Sequence, residues 1–284
     1  MTDAILVTGA TGNLGRDVVE AVRRRGFRVR AASRRPKNIL AAENVEAVTM
    51  DYDDPSTLDA ALSNIKGVFL VAPPMDPEAP ARLKPVIGRA KALGLKHIVF
   101  TSALGMDQNE QAPLRIVERA LMDSGVNYTI LRPNFFMENF STGFVSPMIK
   151  GLGGIFLAAG DGKTSFISTN DIAEVAAVAF MNKHYGRQYN LTGPEALDHA
   201  QVAEMIGKAI GKEVVYHALT EDAMLQGARD NGMPEGAVQY LRVLYSAVRA
   251  GYAGMVTDDV KLVTGKEPMS FEAFVQINKK SWQR

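Results

Sequence analysis

Residues 7–15 read "VTGATGNLG", with glycines at positions 9, 12 and 15 between a short apolar run and an amphipathic stretch. No other feature constrains the chain as tightly. A strand, a glycine loop and a helix in that order let a parallel sheet present N–H groups and the positive end of a helix dipole to a diphosphate. Gly9 permits the tight exit from the strand, Gly12 lets the backbone approach a pyrophosphate, and Gly15 lets the helix lie close to the sheet. Thr11 and Asn13 can add side-chain hydrogen bonds, and Leu14 opens the helix. The arrangement predicts a dinucleotide site over Gly9–Gly15.

Short β-branched runs alternate with helical patterns through the first half. Strands are expected at 4–8, 28–32, 45–49, 68–71, 97–101 and 128–131, several of them apolar almost throughout, as in a parallel sheet covered on both faces. Helical patterns lie between them, at 14–25, 56–64, 81–93 and 114–124. This order predicts an α/β fold with a doubly wound parallel sheet. After about Arg132 the rhythm breaks, and glycines 151, 153, 154, 160 and 162 cluster in an irregular stretch. Helical patterns follow at 171–181, 200–210, 221–230 and 234–249. The expected division is a nucleotide-binding domain over 1–150 and a smaller substrate-binding region over 151–284, with some segments returning to the main sheet and the region folding over its carboxyl edge.

The end of the second strand separates NADP from NAD. An NAD-selective site places an acid there, on the ribose 2′-hydroxyl. Here the sequence is "AASRRPKN": Ser33 at the tip, then Arg34, Arg35 and Lys37, with no carboxylate. A hydroxyl beside a guanidinium fork suits a 2′-phosphate, which a carboxylate would repel. The expected cofactor is therefore NADP(H). Asp51 and Tyr52 close the third strand and are expected to border the adenine; Ala72 and Pro73 close the fourth and would line the ribose and diphosphate. All these positions are at carboxyl ends of strands, where open α/β sheets bind ligands.

The bulk numbers exclude other classes. The chain has 284 residues and no cysteine, which removes disulfides, thiolate catalysis and cysteine-ligated metals. A net charge of +1 gives no electrostatic case for nucleic acid or an anionic membrane. No apolar run approaches the roughly 18 residues of a bilayer span, and the first residues lack a signal-peptide pattern, so a cytoplasmic protein is expected. The four histidines have no ligand spacing, so no metal site is expected. Asp171 reads as the N-cap of the apolar helix that follows it.

Four stretches, "VTGATGNLG", "HIVFTSALG", "SGVNYTILRPNFFMENF" and "SFISTNDIAEVAAVAF", together resemble the NmrA-like group of atypical short-chain dehydrogenase/reductases, in particular its bacterial NAD(P)H:quinone oxidoreductase branch. The resemblance runs over nearly the whole chain and implies an extended Rossmann fold with a small C-terminal substrate region. It extends the cofactor site to Thr101, Ser102, Ala103 and Pro133, and it implies that Asn134, Phe135, Phe136 and Asn139 face the acceptor.

One departure bears on the chemistry. The wider superfamily carries a Tyr-x-x-x-Lys pair on the helix after the fifth strand, whose tyrosine protonates a nascent alkoxide. The matching stretch here, "APLRIVERAL", puts Leu114 and Glu118 at those places. Tyr128-x-x-x-Arg132 has the spacing but falls on a strand, where both residues read as structural. A quinone needs less help than a ketone, because hydride addition gives a phenolate-like anion whose conjugate acid has a pKa of about 10. A hydroxyl such as Ser102, or solvent, can manage that proton. The expected function is NADPH-dependent hydride transfer to a small, planar, electron-poor acceptor. The alternative is a non-catalytic NADP(H) sensor whose occupancy controls binding to a protein partner, since some NmrA-like proteins are regulators. The stripe Val238, Leu241, Tyr245 and Val248 suits either a lid or the face of a homodimer, and the sequence leaves both open.

Overall fold

The computed structural model describes residues 4–283. The chain folds as two compact units. The first takes the chain up to Pro133 together with Thr169–Leu191 and Asp259–Gly265; the second takes Asn134–Ser168, Thr192–Asp258 and the chain from Lys266 onward.

The first unit is built on strands β1 (Ala4–Val7), β2 (Arg28–Ser33), β3 (Val45–Thr49), β4 (Gly67–Val71), β5 (His97–Thr101) and β6 (Tyr128–Pro133). Strand β7 (Gly154–Leu157) belongs to the second unit, and β8 (Arg187–Leu191) returns to the first. The seven-stranded sheet has the order β3-β2-β1-β4-β5-β6-β8 and is parallel throughout. Its order reverses between β1 and β4, where Val7 stands beside Ala31 on one side and Phe69 on the other. The central strands are apolar on both faces because both faces are covered. On one face Leu6, Val68, Leu70, Ile98 and Phe100 pack with Leu83, Val86, Val117 and Leu121 from the helices Ala79–Ala92 and Pro113–Asp123.

Helix Asn13–Arg24 buries Leu14, Gly15, Val18, Ala21 and Val22 at helical spacing and ends before Gly26, which sits in the left-handed region at φ +83°. Its neighbour, Thr169–Asn182, is buried along most of its length. The pair is fastened by ion pairs from Arg24 and Arg25 to Glu174 and by Thr169 Oγ1 donating to Asp17 Oδ2 at 2.5 Å. That helix starts at Thr169, so Asp171 lies inside its first turn rather than preceding it. The helix expected over 56–64 is shorter. A 3₁₀ turn Pro55–Thr57, capped by Asp54 accepting from the Ser56 amide, leads into Leu58–Leu62. The chain turns at Asn64, with φ +57°.

In the second unit β7 pairs in parallel with β9 (Val215–Ala218). The glycine-rich stretch is more ordered than its sequence implies. Helix Ser146–Leu152 stops at Gly153 with φ +69°, and β7 begins at the next residue. Helices His199–Ile210, Glu221–Asp230, Glu235–Arg249 and Phe271–Asn278 complete the unit. Phe140, Phe166, Phe271 and His199 form an aromatic core. Among the described residues no helix is long and apolar enough to cross a membrane.

Candidate functional site

The three glycines do three separate jobs. Gly9 takes φ +63°, and a Cβ there would lie 2.8 Å from Val71 Cγ1. A Cβ on Gly15 would stand 2.1 Å from the Gly9 carbonyl oxygen, so helix and loop close only without one. Gly12 is the N-cap, and a Cβ there would meet only the Gly9 oxygen, at 3.4 Å. No packing demand requires Gly12; an open approach to the backbone is what it provides. Arg16 is the first residue to donate its amide to a carbonyl one turn back, that of Gly12 at 3.0 Å. The Leu14 and Gly15 amides precede it and have no such carbonyl, which is the ordinary state of a helix start and leaves both able to meet an anion.

Beside this loop, Ser33 Oγ at the tip of β2 lies 3.5 Å from Thr11 Oγ1 and accepts from the Arg35 amide at 3.1 Å. Arg34 and Lys37 are exposed, and among the described residues neither has a carboxylate partner. Among the described residues the hydroxyl pair at the strand tip has no acid hydrogen-bonded to it, and the exposed Arg34 follows it directly in the chain.

Thr8 secures the reversal point. Its Oγ1 donates to the Phe69 carbonyl and accepts from the Val71 amide, each at 3.0 Å. The Tyr52 hydroxyl donates to the Val71 carbonyl at 2.8 Å, and its ring is partly buried against the core. Burial pushes that hydroxyl's pKa up, so it stays a neutral donor. Asp51 accepts the Asp53 amide at 3.1 Å in a turn. Ala72, Pro73 and Ala103 are half-buried, and the Leu104 amide donates to the Pro133 carbonyl at 3.0 Å. Thr101 and Ser102 are both buried at the end of β5, and neither side-chain oxygen makes a hydrogen bond of normal geometry. Adjacent orphan hydroxyls at a carboxyl strand end are what a polar ligand would complete. The residues of this unit therefore fit a dinucleotide.

The helix that would carry the Tyr-Lys pair has Leu114 half-buried and Glu118 fully buried. Arg132 Nε donates to Glu118 Oε1 at 2.9 Å and its Nη2 to Oε2 at 2.8 Å; Arg115 Nη1 adds a third bond at 2.8 Å. Burial pushes the Glu118 carboxyl up, but hydrogen bonds from Arg132, Ser102 and Arg115 outweigh it and hold the group below the usual carboxylate range. Ser102 acts there by proximity rather than through a well-formed bond. Arg132 is thus a structural partner of Glu118, and the Tyr128–Arg132 spacing has no catalytic geometry.

In the second unit, residues 135–137 pair with Ile167. Phe135 is half-buried and meets the Tyr245 ring edge-on at 6.0 Å; Phe136 and Asn139 are also half-buried. Asn134 is buried, and its carboxamide is engaged by protein. Nδ2 donates to Ser165 Oγ at 2.7 Å and to the Ala253 carbonyl at 2.8 Å, and Oδ1 accepts the Phe135 amide at 3.0 Å. Sequence reading marked Ser165 only as the start of the stretch "SFISTNDIAEVAAVAF" and gave it no partner, and it gave no partner to the backbone of residues 252–257. Nor did it assign a partner to Glu118, although a carboxylate inside an apolar helical stripe always raises that question. Among the described residues no group of three or more His, Asp or Glu side chains could hold a metal ion.

The comparisons agree with this geometry. A NAD(P)H azoreductase of Xenophilus azovorans is 32% identical over 283 residues, covering 96% of this chain and 97% of that one. The oxidoreductase YesF of Bacillus subtilis is 36% identical over 281 residues, covering 98% and 96%. The crystal structure of the Escherichia coli NADPH-dependent quinone oxidoreductase, complexed with NADPH, superposes with a TM-score of 0.84 at 29% identity, over 96% of this chain and 99% of that one. The sheet is accordingly the Rossmann-like sheet of NADPH-binding reductases. The model of the NmrA-like family matches residues 1–274, and the chain belongs to that family.

Proposed function

We propose that this chain, an NAD(P)H-dependent oxidoreductase, uses NADPH to reduce a planar, electron-poor acceptor of the quinone class. The observation that carries the reading is the occupant of the proton-donor positions: Leu114, which has no proton to give, and Glu118, buried between Arg132 and Arg115. These two positions offer no group to protonate a strongly basic alkoxide, but a quinone's phenolate-like product needs none of comparable strength. The name of one relative, the quinone oxidoreductase 2 of Escherichia coli, supports the same class of acceptor.

The Leu14 and Gly15 amides, with Gly12 open beside them, would hold the diphosphate, and Thr11 and Asn13 would add side-chain bonds. Ser33, Arg34 and Lys37 would hold the 2′-phosphate, with Arg34 supplying the fork. Asp51 and Tyr52 would border the adenine, and Ala72 and Pro73 the ribose. Thr101, Ser102, Ala103 and Pro133 would surround the nicotinamide half, with the Thr101 and Ser102 hydroxyls meeting its polar groups. NADPH, when bound, supplies the hydride. Phe135, Phe136 and Asn139 would shelter the acceptor, while Asn134 sets backbone position. Ser102 or solvent manages the product's proton.

The test is NADPH oxidation by the purified chain with quinones, azo dyes, triphenylmethane dyes and simple ketones. Turnover of the conjugated acceptors without the ketones is expected. A protein that binds NADPH and turns over none of them is a sensor of NADP(H) instead.

A further inference from the structure

The first unit holds a cavity of about 230 Å³ at the amino ends of its strands, opposite the strand ends assigned above to the coenzyme. Its floor is buried: Ile5 near the start of β1, Gly67 and His97 at the first positions of β4 and β5, and Phe180. Gly67 lets Phe180 lie against the strands, since a Cβ there would stand 2.9 Å from the ring. At the rim stand the exposed Lys66, Lys96 and Lys183, with the rings of Phe27 and Tyr185. No carboxylate is among the described residues that line the cavity, and among the described residues Lys96 and Lys183 have no acidic partner.

The backbone of the rim is fixed. The Lys66 amide donates to the Ala4 carbonyl at 2.8 Å, and the Lys96 amide to the Lys66 carbonyl at 2.9 Å. The turn that carries Lys183 and Tyr185 is tied to β6. There the His184 carbonyl accepts from Thr129 Oγ1 at 2.6 Å, and the Gly186 amide donates to the Tyr128 carbonyl at 2.7 Å. Thr129 Oγ1 gives its proton to that carbonyl, so at 2.8 Å it accepts from His97 Nε2, which fixes the imidazole tautomer. Burial holds His97 far below the usual histidine range, at about 4, so the ring is uncharged at neutral pH. The rings of Phe180 and Tyr185 meet it edge-on at 5.3 and 4.8 Å. Positive charge is thus confined to the rim, over a neutral floor rich in aromatic rings.

We propose that this cavity binds a small aromatic carboxylate, its ring against Phe180, Tyr185 and His97 and its carboxylate among Lys66, Lys96 and Lys183. Like charges gathered at one rim repel, and an anion placed among them removes that cost. A hydrated inorganic ion would gain nothing from the floor, whereas a flat ring gains edge and face contacts there. The cavity is smaller than the roughly 300 Å³ at which sites for drug-sized ligands begin, so it admits a single ring and excludes a nucleotide. Strands β1, β4 and β5 run from this cavity toward the glycine loop and Thr101, which separates the two sites by the length of the sheet. Occupancy here requires neither the coenzyme nor the acceptor.

The experiment titrates the purified full chain with benzoate, benzamide and acetate by calorimetry. Wild type is compared with Lys96→Gln, Lys183→Gln and the double variant, all at exposed positions, and NADPH affinity is followed by fluorescence. Wild type is expected to bind benzoate at least about tenfold more tightly than benzamide, which keeps the shape without the charge, or acetate, which keeps the charge without the ring. The double variant should weaken benzoate about tenfold, with NADPH affinity within about twofold of wild type. Added salt should weaken benzoate binding to wild type as well. Absence of benzoate binding up to about 10 mM overturns the site. Benzoate binding that the double variant leaves unchanged, or that NADPH displaces, also overturns it by placing the ligand elsewhere on the chain. Acetate binding as tight as benzoate overturns the aromatic assignment and leaves a rim that attracts any anion.

Discussion

Glu118 and Arg132 form a two-point ion pair, Nε to Oε1 at 2.9 Å and Nη2 to Oε2 at 2.8 Å, with both side chains buried. Arg132 is the penultimate residue of β6 and Glu118 lies on the helix before it, so the pair ties helix to strand. Removing one partner of such a pair leaves the other charge uncompensated. Glu118→Gln is expected to cost about 3 kcal/mol at neutral pH, read from chemical denaturation.

The same pair predicts a pH dependence. Its hydrogen bonds hold the folded-state pKa of Glu118 below the unfolded value, so its contribution is complete above the unfolded carboxylate range. It is lost as pH falls through the folded pKa. The stability difference between wild type and Glu118→Gln should therefore be constant from neutral pH down to about pH 5 and shrink below about pH 4. A difference that grows on acidification contradicts the assignment.

Arg34→Ala should separate the two coenzymes. One charge-assisted hydrogen bond to a phosphate contributes about 1.5–3 kcal/mol. NADPH affinity should fall on the order of tenfold to a hundredfold, with NADH nearly unchanged, in parallel fluorescence titrations. Equal weakening of both would remove Arg34 from the 2′-phosphate.

Gly12 and Gly15 should behave differently when a methyl is added. Gly15→Ala places a Cβ 2.1 Å from a backbone oxygen, and thermal stability should drop sharply. Gly12→Ala meets backbone only at 3.4 Å, so the protein should melt near the wild-type temperature while its NADPH affinity falls. A Gly12→Ala protein with full affinity would move the diphosphate elsewhere.

Thr101 Oγ1 is buried without a hydrogen bond. Thr101→Val keeps the shape and removes the orphan oxygen, so the apoprotein should gain about 1 kcal/mol in denaturation. The same variant should bind NADPH more weakly. A loss of apoprotein stability would mean that the hydroxyl serves the fold.

The parallel sheet was readable because its strands are apolar runs bounded by turns: β3 and β5 begin and end where the sequence places them, and β1 within one residue. The glycine loop was readable for the same local reason. Strands β7, β8 and β9 were not. They are short, and β8 reads "RQYNL", a polar edge strand whose place is set by the backbone of β6 rather than by its own periodicity. The contacts of Asn134 were hidden for a related reason, since its partners Ser165 and Ala253 are 31 and 119 residues away. The expectation that Asn134 faces the acceptor came from the resemblance alone. Its geometry shows a side chain that fixes backbone.

The most direct test of the whole account is a single turnover of NADPH bound to excess purified protein, mixed with a naphthoquinone and, separately, with an aliphatic ketone. The account predicts loss of the reduced-nicotinamide absorbance with the quinone and none with the ketone. NADPH that stays reduced with both, on a protein that binds it, would contradict the claim that this chain is a reductase.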